Sequence, residues 1–345
     1  GSEMCIRDRL SFTGASILSI EQFSLDDVER IFAVADQMQP FANRERVTKA
    51  LDGAILGNIF LEPSTRTRIS FGSAFNLLGG HVRETSDISS SAFVKGESLQ
   101  DSARILSGYS DIICLRHPTS GSVEKFAKYS RVPVINGGDG ANEHPTQALL
   151  DLFTIKKELR AKNRDINNLR IALVGDLLFG RTVHSLCKLL SLYQGVSVVL
   201  ISPPELSMPK DIIESMRAAN IQVNDCEDFY KGIGDVDIIY TTRIQEERFE
   251  NKEMASKYRG KFVLNDDIYT KYCSSDTVVM HPLPRDSRPE ANEIDFDLDS
   301  NPNLAIFRQA DNGIAVRMAL FALVLDVVDK VEKTSSKIQW YVSRK

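Results

Sequence analysis

Short, continuous apolar runs alternate along the chain with longer stretches in which apolar residues recur at helical spacing. Helical spacing covers about 24 to 39. AILGNIF (54–60) predicts a buried strand, and Ile69, Phe71, Phe75 and Leu78 predict a helix after it, closed by Gly79 and Gly80. A Ser-rich loop, ETSDISSSAFVKGE, leads to a helix opened by the capping pattern Ser98-x-x-Asp101. DIICLR (111–116) and VPVIN (132–136) predict further strands, the second running into the glycine-rich loop GGDGANEHPTQ. A helix then starts at Pro145, with proline at its first position, and reaches the polar segment RAKNRDINN. Beyond it a second alternating set contains RIALVG (170–175), VSVVLIS (196–202), VDIIYTT (236–242) and TVVMHPLP (277–284). A last helical pattern, roughly 313–332, is apolar on most of its circumference and is expected to be deeply packed.

Strands alternating with helices predict parallel sheets, and 345 residues exceed one ordinary core. The expectation is an α/β protein of two open, mostly parallel α/β domains with a ligand cleft between them. The first domain is expected over 13–149 and the second over 150–302. A C-terminal helical segment, 303–333, is expected to pack back on the first domain, with 1–12 and 334–345 as tails. The last of these holds the only tryptophan, Trp340.

Composition narrows the function. No apolar run approaches the roughly 20 residues of a membrane span, and the net charge of −5 argues against a general nucleic-acid binder. An anion site must therefore be a local concentration of arginine. The five cysteines form no CxxC pair, so reduced, mostly buried thiols are expected rather than a metal knuckle or disulfide framework.

Such a concentration occurs in FLEPSTRTRISFG (60–72), where Ser64, Thr65, Arg66, Thr67 and Arg68 occupy a strand-to-helix turn. Unpaired backbone N–H groups and the positive end of the helix dipole face outward there. Hydroxyls and guanidinium forks add donors suited to a tetrahedral oxyanion. A Ser/Thr cap followed by solvated arginines is the alternative. Loops at the carboxyl ends of strands form the ligand crevice of such sheets, and Arg116 and His144 fall on them too.

In the second set, GDLLFGRT (175–182) resembles a phosphate loop with Arg181 in place of its lysine, but no magnesium-holding Asp is suitably placed. Arg181 reads as a carboxylate fork or as a solvated residue at a tight turn. Arg243 and Gln245, two residues apart in YTTRIQEER, could face one side of a loop, and with Arg181 would suit a dicarboxylate. Arg243 could equally pair with Glu246 or Glu247. HPLPR (281–285) is a double-proline turn whose carbonyls are held in fixed directions, or a plain structural turn. His144 could hydrogen-bond a substrate carbonyl or serve as a structural donor. HExxH, GxSxG and spaced Cys/His pairs are absent, so neither a metal nor a covalent nucleophile is indicated.

STRTR, RHP, HPTQ, GRTVHSL, TRIQEER and HPLPR, in this order and spacing, resemble the catalytic chain of the aspartate carbamoyltransferase family, from about Phe23 to Val328. The resemblance implies a carbamoyl-phosphate domain followed by an aspartate domain, joined in trimers, without a cofactor. It carries Ser64, Thr65, Arg66 and Thr67 to the phosphate, and Thr67, Arg116 and His144 to the carbamoyl carbonyl oxygen. Gln147 falls to the carbamoyl amine; Arg181, Arg243 and Gln245 fall to the aspartate carboxylates, with the backbone of Leu283 and Pro284 nearby. By the same resemblance, Ser91 and Lys95 are expected to be lent by a neighbouring subunit, and the Leu283–Pro284 bond to be cis. Arg66, Thr67, Lys95, Arg116 and His144 form the implied catalytic set. Val94 stands where many members carry a second lysine, and an acidic DSRPEANEIDFDLD follows HPLPR.

The implied reaction transfers the carbamoyl group to the amine of L-aspartate, in the cytoplasm, with a regulatory chain as a possible partner and neither nucleic acid nor membrane involved. An ornithine or other amino-acid carbamoyltransferase is the alternative, although Arg243 and Lys95 oppose a cationic substrate and the HCLP and SMG signatures of the ornithine family do not occur. A non-catalytic relic used for binding or scaffolding is a third reading, for which gaps in the cradle would be expected.

Overall fold

The computed structural model describes residues 11–85, 96–246, 249 and 257–341. Two compact units divide the chain, one built from residues 1–149 and 311–345 and the other from 150–310.

In the first unit, α1 (Leu25–Ala42) is opened by a capping box in which Ser24 and Asp27 satisfy each other's amides. β1 (Arg46–Val47) precedes β2 (Ile55–Phe60), α2 (Thr65–Leu77), β3 (His81–Thr85), α3 (Leu99–Leu106), β4 (Ile112–His117), α4 (Ser122–Ala127) and β5 (Val134–Asp139). Among the described residues, four strands form a sheet in the order β3-β2-β4-β5, every pair parallel. β2, β4 and β5 are buried along nearly their whole length, as suits a sheet covered on both faces. β3 is an exposed edge strand without an apolar run and was not marked by the hydrophobic pattern. One core cluster joins Ile59, Leu115 and Val134 of the sheet to Ala103, Val123 and Phe126 of α3 and α4.

The second unit begins within α5 (Pro145–Ala161) and continues through β6 (Arg170–Val174), α6 (Arg181–Leu190), β7 (Ser197–Ile201), α7 (Lys210–Ala218), β8 (Gln222–Asp225), α8 (Phe229–Gly232), β9 (Ile238–Thr241), α9 (Asp266–Tyr272) and β10 (Val278–Met280). Its sheet, among the described residues, runs β10-β9-β6-β7-β8, again parallel throughout. β8 is the strand the pattern did not mark, for the same reason as β3: three of its four residues are exposed.

α10 (Ile306–Val324) starts seven residues before the helical pattern did and ends earlier, because Asp326 takes a left-handed φ of +54° and α11 (Val328–Lys333) begins afresh. The part of α10 that belongs to the first unit sets Phe321 edge-on to Phe71 and Phe75, with ring centroids 6.0 and 5.0 Å away. Beyond α11, β11 (Ser336–Lys337) pairs antiparallel with β1, so part of the 334–345 segment is fastened to the first unit. Among the described residues no helix is long and apolar enough to cross a membrane.

Candidate active site

In the first unit the candidate residues gather at the carboxyl ends of three neighbouring strands. Ser64 caps α2 just after β2, and Thr65, Arg66 and Thr67 form the first turn of that helix. Arg116 lies near the end of β4, while His144, Pro145 and Gln147 stand at the start of α5 after β5. The Ser64 side chain makes no capping bond to its own helix. Thr65 and Arg66 are exposed, Thr67 is half-buried, and His144 is buried.

Buried polar contacts brace this edge. Asn58, at the centre of β2 with no exposed surface, donates through Nδ2 to the Arg68 carbonyl at 3.0 Å and to Glu84 Oε1 at 2.8 Å, tying the first turn of α2 to the sheet. Arg116, only 8% exposed, donates from Nε to Glu62 Oε2 at 2.8 Å and from Nη1 to the Gly137 carbonyl at 3.4 Å. Glu143 accepts from Ser19 Oγ at 3.0 Å and from the Ile20 amide at 2.8 Å, fixing the loop that carries His144. His117, beside Arg116, has its Nδ1 engaged by the Thr119 amide at 3.0 Å; burial is the main reason its pKa lies below the usual histidine value.

In the second unit Arg181 opens α6 after β6, Arg243 and Gln245 follow β9, and Leu283 and Pro284 follow β10. These are again three neighbouring strands. Gly175, at φ +109°, lets the first loop pass so close to the Thr242 carbonyl that a β-carbon there would collide with it. The buried Asp176 carboxylate then accepts the Phe179 amide at 2.9 Å and the Gln245 amide at 3.2 Å. Gln245 Nε2 donates to the Phe179 carbonyl at 2.8 Å, so the two loops are stitched from both sides. Arg243 Nη1 donates to the Ile244 carbonyl at 3.2 Å. Glu246 is engaged by Arg259 at 2.6 and 2.7 Å and by Arg288 at 3.1 Å, and these contacts hold its carboxyl below the usual range. Asp286 is likewise lowered, chiefly by hydrogen bonds from Arg288, with the positive charge of Arg243 adding to the effect. The Leu283–Pro284 bond is cis.

Ser91 and Lys95 lie outside the described residues. Asn58, Glu62, Asp176 and His281 were given no role of their own in the sequence, although Glu62, Asp176 and His281 stand inside FLEPSTRTRISFG, GDLLFGRT and HPLPR. Among the described residues, no group of three or more His, Cys, Asp or Glu is placed to hold a metal ion.

Residues 15–157 match the carbamoyl-P binding domain of aspartate/ornithine carbamoyltransferase, and residues 167–324 match the Asp/Orn binding domain. The aspartate carbamoyltransferase catalytic subunit of Cellvibrio japonicus is 65% identical over 334 residues, 97% of this chain and 99% of that protein. Its counterpart in Saccharophagus degradans is 64% identical, with the same coverage. Among solved structures, Trypanosoma cruzi aspartate transcarbamoylase in complex with carbamoyl phosphate and aspartate superposes with a TM-score of 0.83 at 36% identity, over 91% of this chain and 98% of that one. The M. jannaschii aspartate transcarbamoylase catalytic subunit gives 0.80 at 42%, over 92% and 98%. With both domain families matched in order and relatives this similar along nearly the whole chain, the protein belongs to the aspartate/ornithine carbamoyltransferase family.

Proposed function

We propose that this enzyme transfers the carbamoyl group of carbamoyl phosphate to the amine of L-aspartate, giving N-carbamoyl-L-aspartate and phosphate in de novo pyrimidine biosynthesis. The observation that carries the assignment of residues is the gathering of STRTR, Arg116 and the His144–Gln147 turn at one edge of a parallel sheet. Curated relatives named for aspartate, rather than ornithine, support the acceptor.

The chemistry asks for few groups. Attack of the amine on the carbamoyl carbon creates a tetrahedral oxyanion, which Thr67, Arg116 and His144 stabilise by donating to it. Phosphate leaves against Ser64, Thr65, Arg66 and Thr67 at the start of α2, where backbone amides and the helix dipole receive its charge. Gln147 orients the carbamoyl amine. The proton of the attacking amine passes to the departing phosphate, so no dedicated base is needed. Arg181, Arg243 and Gln245 hold the aspartate carboxylates, and the backbone at Leu283 and Pro284 borders the amino acid.

The working unit in this reading is a trimer in which Ser91 and Lys95 serve a neighbour's site, in the cytoplasm, where the buried thiols of Cys114 and Cys187 stay reduced. Turnover of carbamoyl phosphate with aspartate, compared with ornithine at equal concentration, tests the assignment. Preference for ornithine would overturn it.

A further inference from the structure

A line of buried polar groups in the second unit runs between two of the loops assigned to aspartate. At one end the Thr182 side chain, next to Arg181, hydrogen-bonds the Tyr240 phenol oxygen. The phenol donates to Asp151 Oδ2 at 2.6 Å, and Gln309 Nε2 donates to Asp151 Oδ1 at 2.7 Å. Gln309 Oε1 accepts the His281 amide at 2.9 Å. At the far end His281 Nδ1 accepts the Leu283 amide at 2.8 Å, and its Nε2 lies 2.6 Å from Glu293 Oε1. Glu293 in turn accepts the Asp286 amide at 3.1 Å, so the turn is pinned on both sides of Pro284.

Tyr240, Asp151, Gln309 and His281 are each at most 1% exposed. Because Nδ1 is an acceptor, the ring proton of His281 sits on Nε2, which is close to Glu293 but makes no well-aligned hydrogen bond. Leu283 has φ +57°, a left-handed conformation that a bulky side chain holds only when its surroundings impose it. The His281 ring is the group that engages its amide.

We propose that Tyr240, Asp151, Gln309 and His281 are positioning residues that hold the Leu283–Pro284 backbone and the Gly180–Arg181 turn in fixed relation, so that aspartate meets one rigid set of donors. A buried hydrogen-bonded network specifies geometry in a way an apolar core of equal volume does not. This inference rests on the reading that Arg181 and the 283–284 backbone bind aspartate.

The test uses the full-length enzyme with Tyr240→Phe, His281→Ala, the double variant, and His281→Asn, which offers Leu283 an acceptor near the place of Nδ1. Aspartate is varied at saturating carbamoyl phosphate, carbamoyl-phosphate binding is measured directly, and thermal unfolding confirms folding. Each single variant should raise the KM for aspartate roughly tenfold, with carbamoyl-phosphate affinity unchanged and partial recovery in His281→Asn. The double variant should lose less than the product of the two singles, as coupled sites do. An unchanged aspartate KM in folded Tyr240→Phe, or losses that multiply, would overturn the proposal. Should His281→Ala not fold, Gln309→Met takes its place in the same cycle. Arg243→Ala is the reference: if it too leaves aspartate KM unchanged, the aspartate assignment itself fails, whereas an effect there alone removes only the network.

Discussion

The backbone of Gly138 lies against the guanidinium of Arg116: a β-carbon at position 138 would stand 3.0 Å from Nη1 and 3.2 Å from Cζ, at a φ of +129°. Gly138→Ala therefore meets backbone strain and a displaced arginine together. The expected cost is roughly 1–3 kcal/mol of stability, with a fall in turnover larger than the loss of folded protein explains. Chemical denaturation and steady-state assays on the same sample check this, and native turnover would remove Arg116's exact placement from the mechanism.

Arg66 is exposed in the first turn of α2 and fills no core position. Arg66→Ala should keep the unfolding temperature close to native while stripping a charged fork from the leaving phosphate, at a cost of roughly 3 kcal/mol in the barrier, or about a hundredfold in kcat. A folded variant with near-native kcat would sink the phosphate cradle.

Arg243→Ala should act on aspartate, because a substrate carboxylate left unpaired in a desolvated site costs roughly 2–5 kcal/mol. Calorimetry with each ligand separately would show carbamoyl-phosphate affinity nearly preserved. Equal weakening of both ligands would contradict a carboxylate role.

His184 makes the fold sensitive to mild acid. Burial lowers its pKa below 6.5 in the folded chain, outweighing the opposing effects of the Leu177 carbonyl, Asp211 and Asp176. Its Nε2 lies 2.7 Å from that carbonyl. The unfolded state then binds the proton more readily, so stability is complete above the unfolded value and falls as pH drops through it toward the folded one. Urea unfolding at pH 7.5 and 5.5 should show a smaller difference in His184→Gln than in the native chain. An identical pH dependence in the two would assign the acid sensitivity elsewhere.

The proposed sharing of the site between subunits predicts complementation. In the proposed trimer, Lys95→Ala and Arg66→Ala proteins should each lose most of their activity, yet dissociating, mixing and reassembling them should restore part of it, since some sites then carry neither defect. Absence of recovery in mixed trimers verified by mass would place Lys95 in its own subunit's site or outside it.

The loops were legible in the sequence because each ends an apolar run with several polar residues of one chemistry, as in STRTR or TRIQEER. Strands β3 and β8 were not, because edge strands with exposed faces carry no apolar signature. The helical pattern ran on through residue 332 because apolar spacing continues across Asp326, whereas a single left-handed residue ends the helix without altering that spacing. The buried network was hidden for a different reason. Asp151 meets Tyr240 across 89 positions and Gln309 across 158. Pairings of that range are set by the fold and leave no local spacing to read.

The first unit is assembled from both ends of the chain, with Phe321 covering Phe71 and Phe75, the Gly14 amide bonded to the Val324 carbonyl, and β11 paired to β1. During synthesis the whole of the second unit leaves the ribosome before those late residues do. The first-made sheet thus waits, with two phenylalanines uncovered, for a segment translated last, while the later-made unit has its complete sequence first. Translation order and order of completion are reversed, and a chain ending at residue 310 would expose the phosphate-side domain, rather than the amino-acid-side one, to chaperones and proteases.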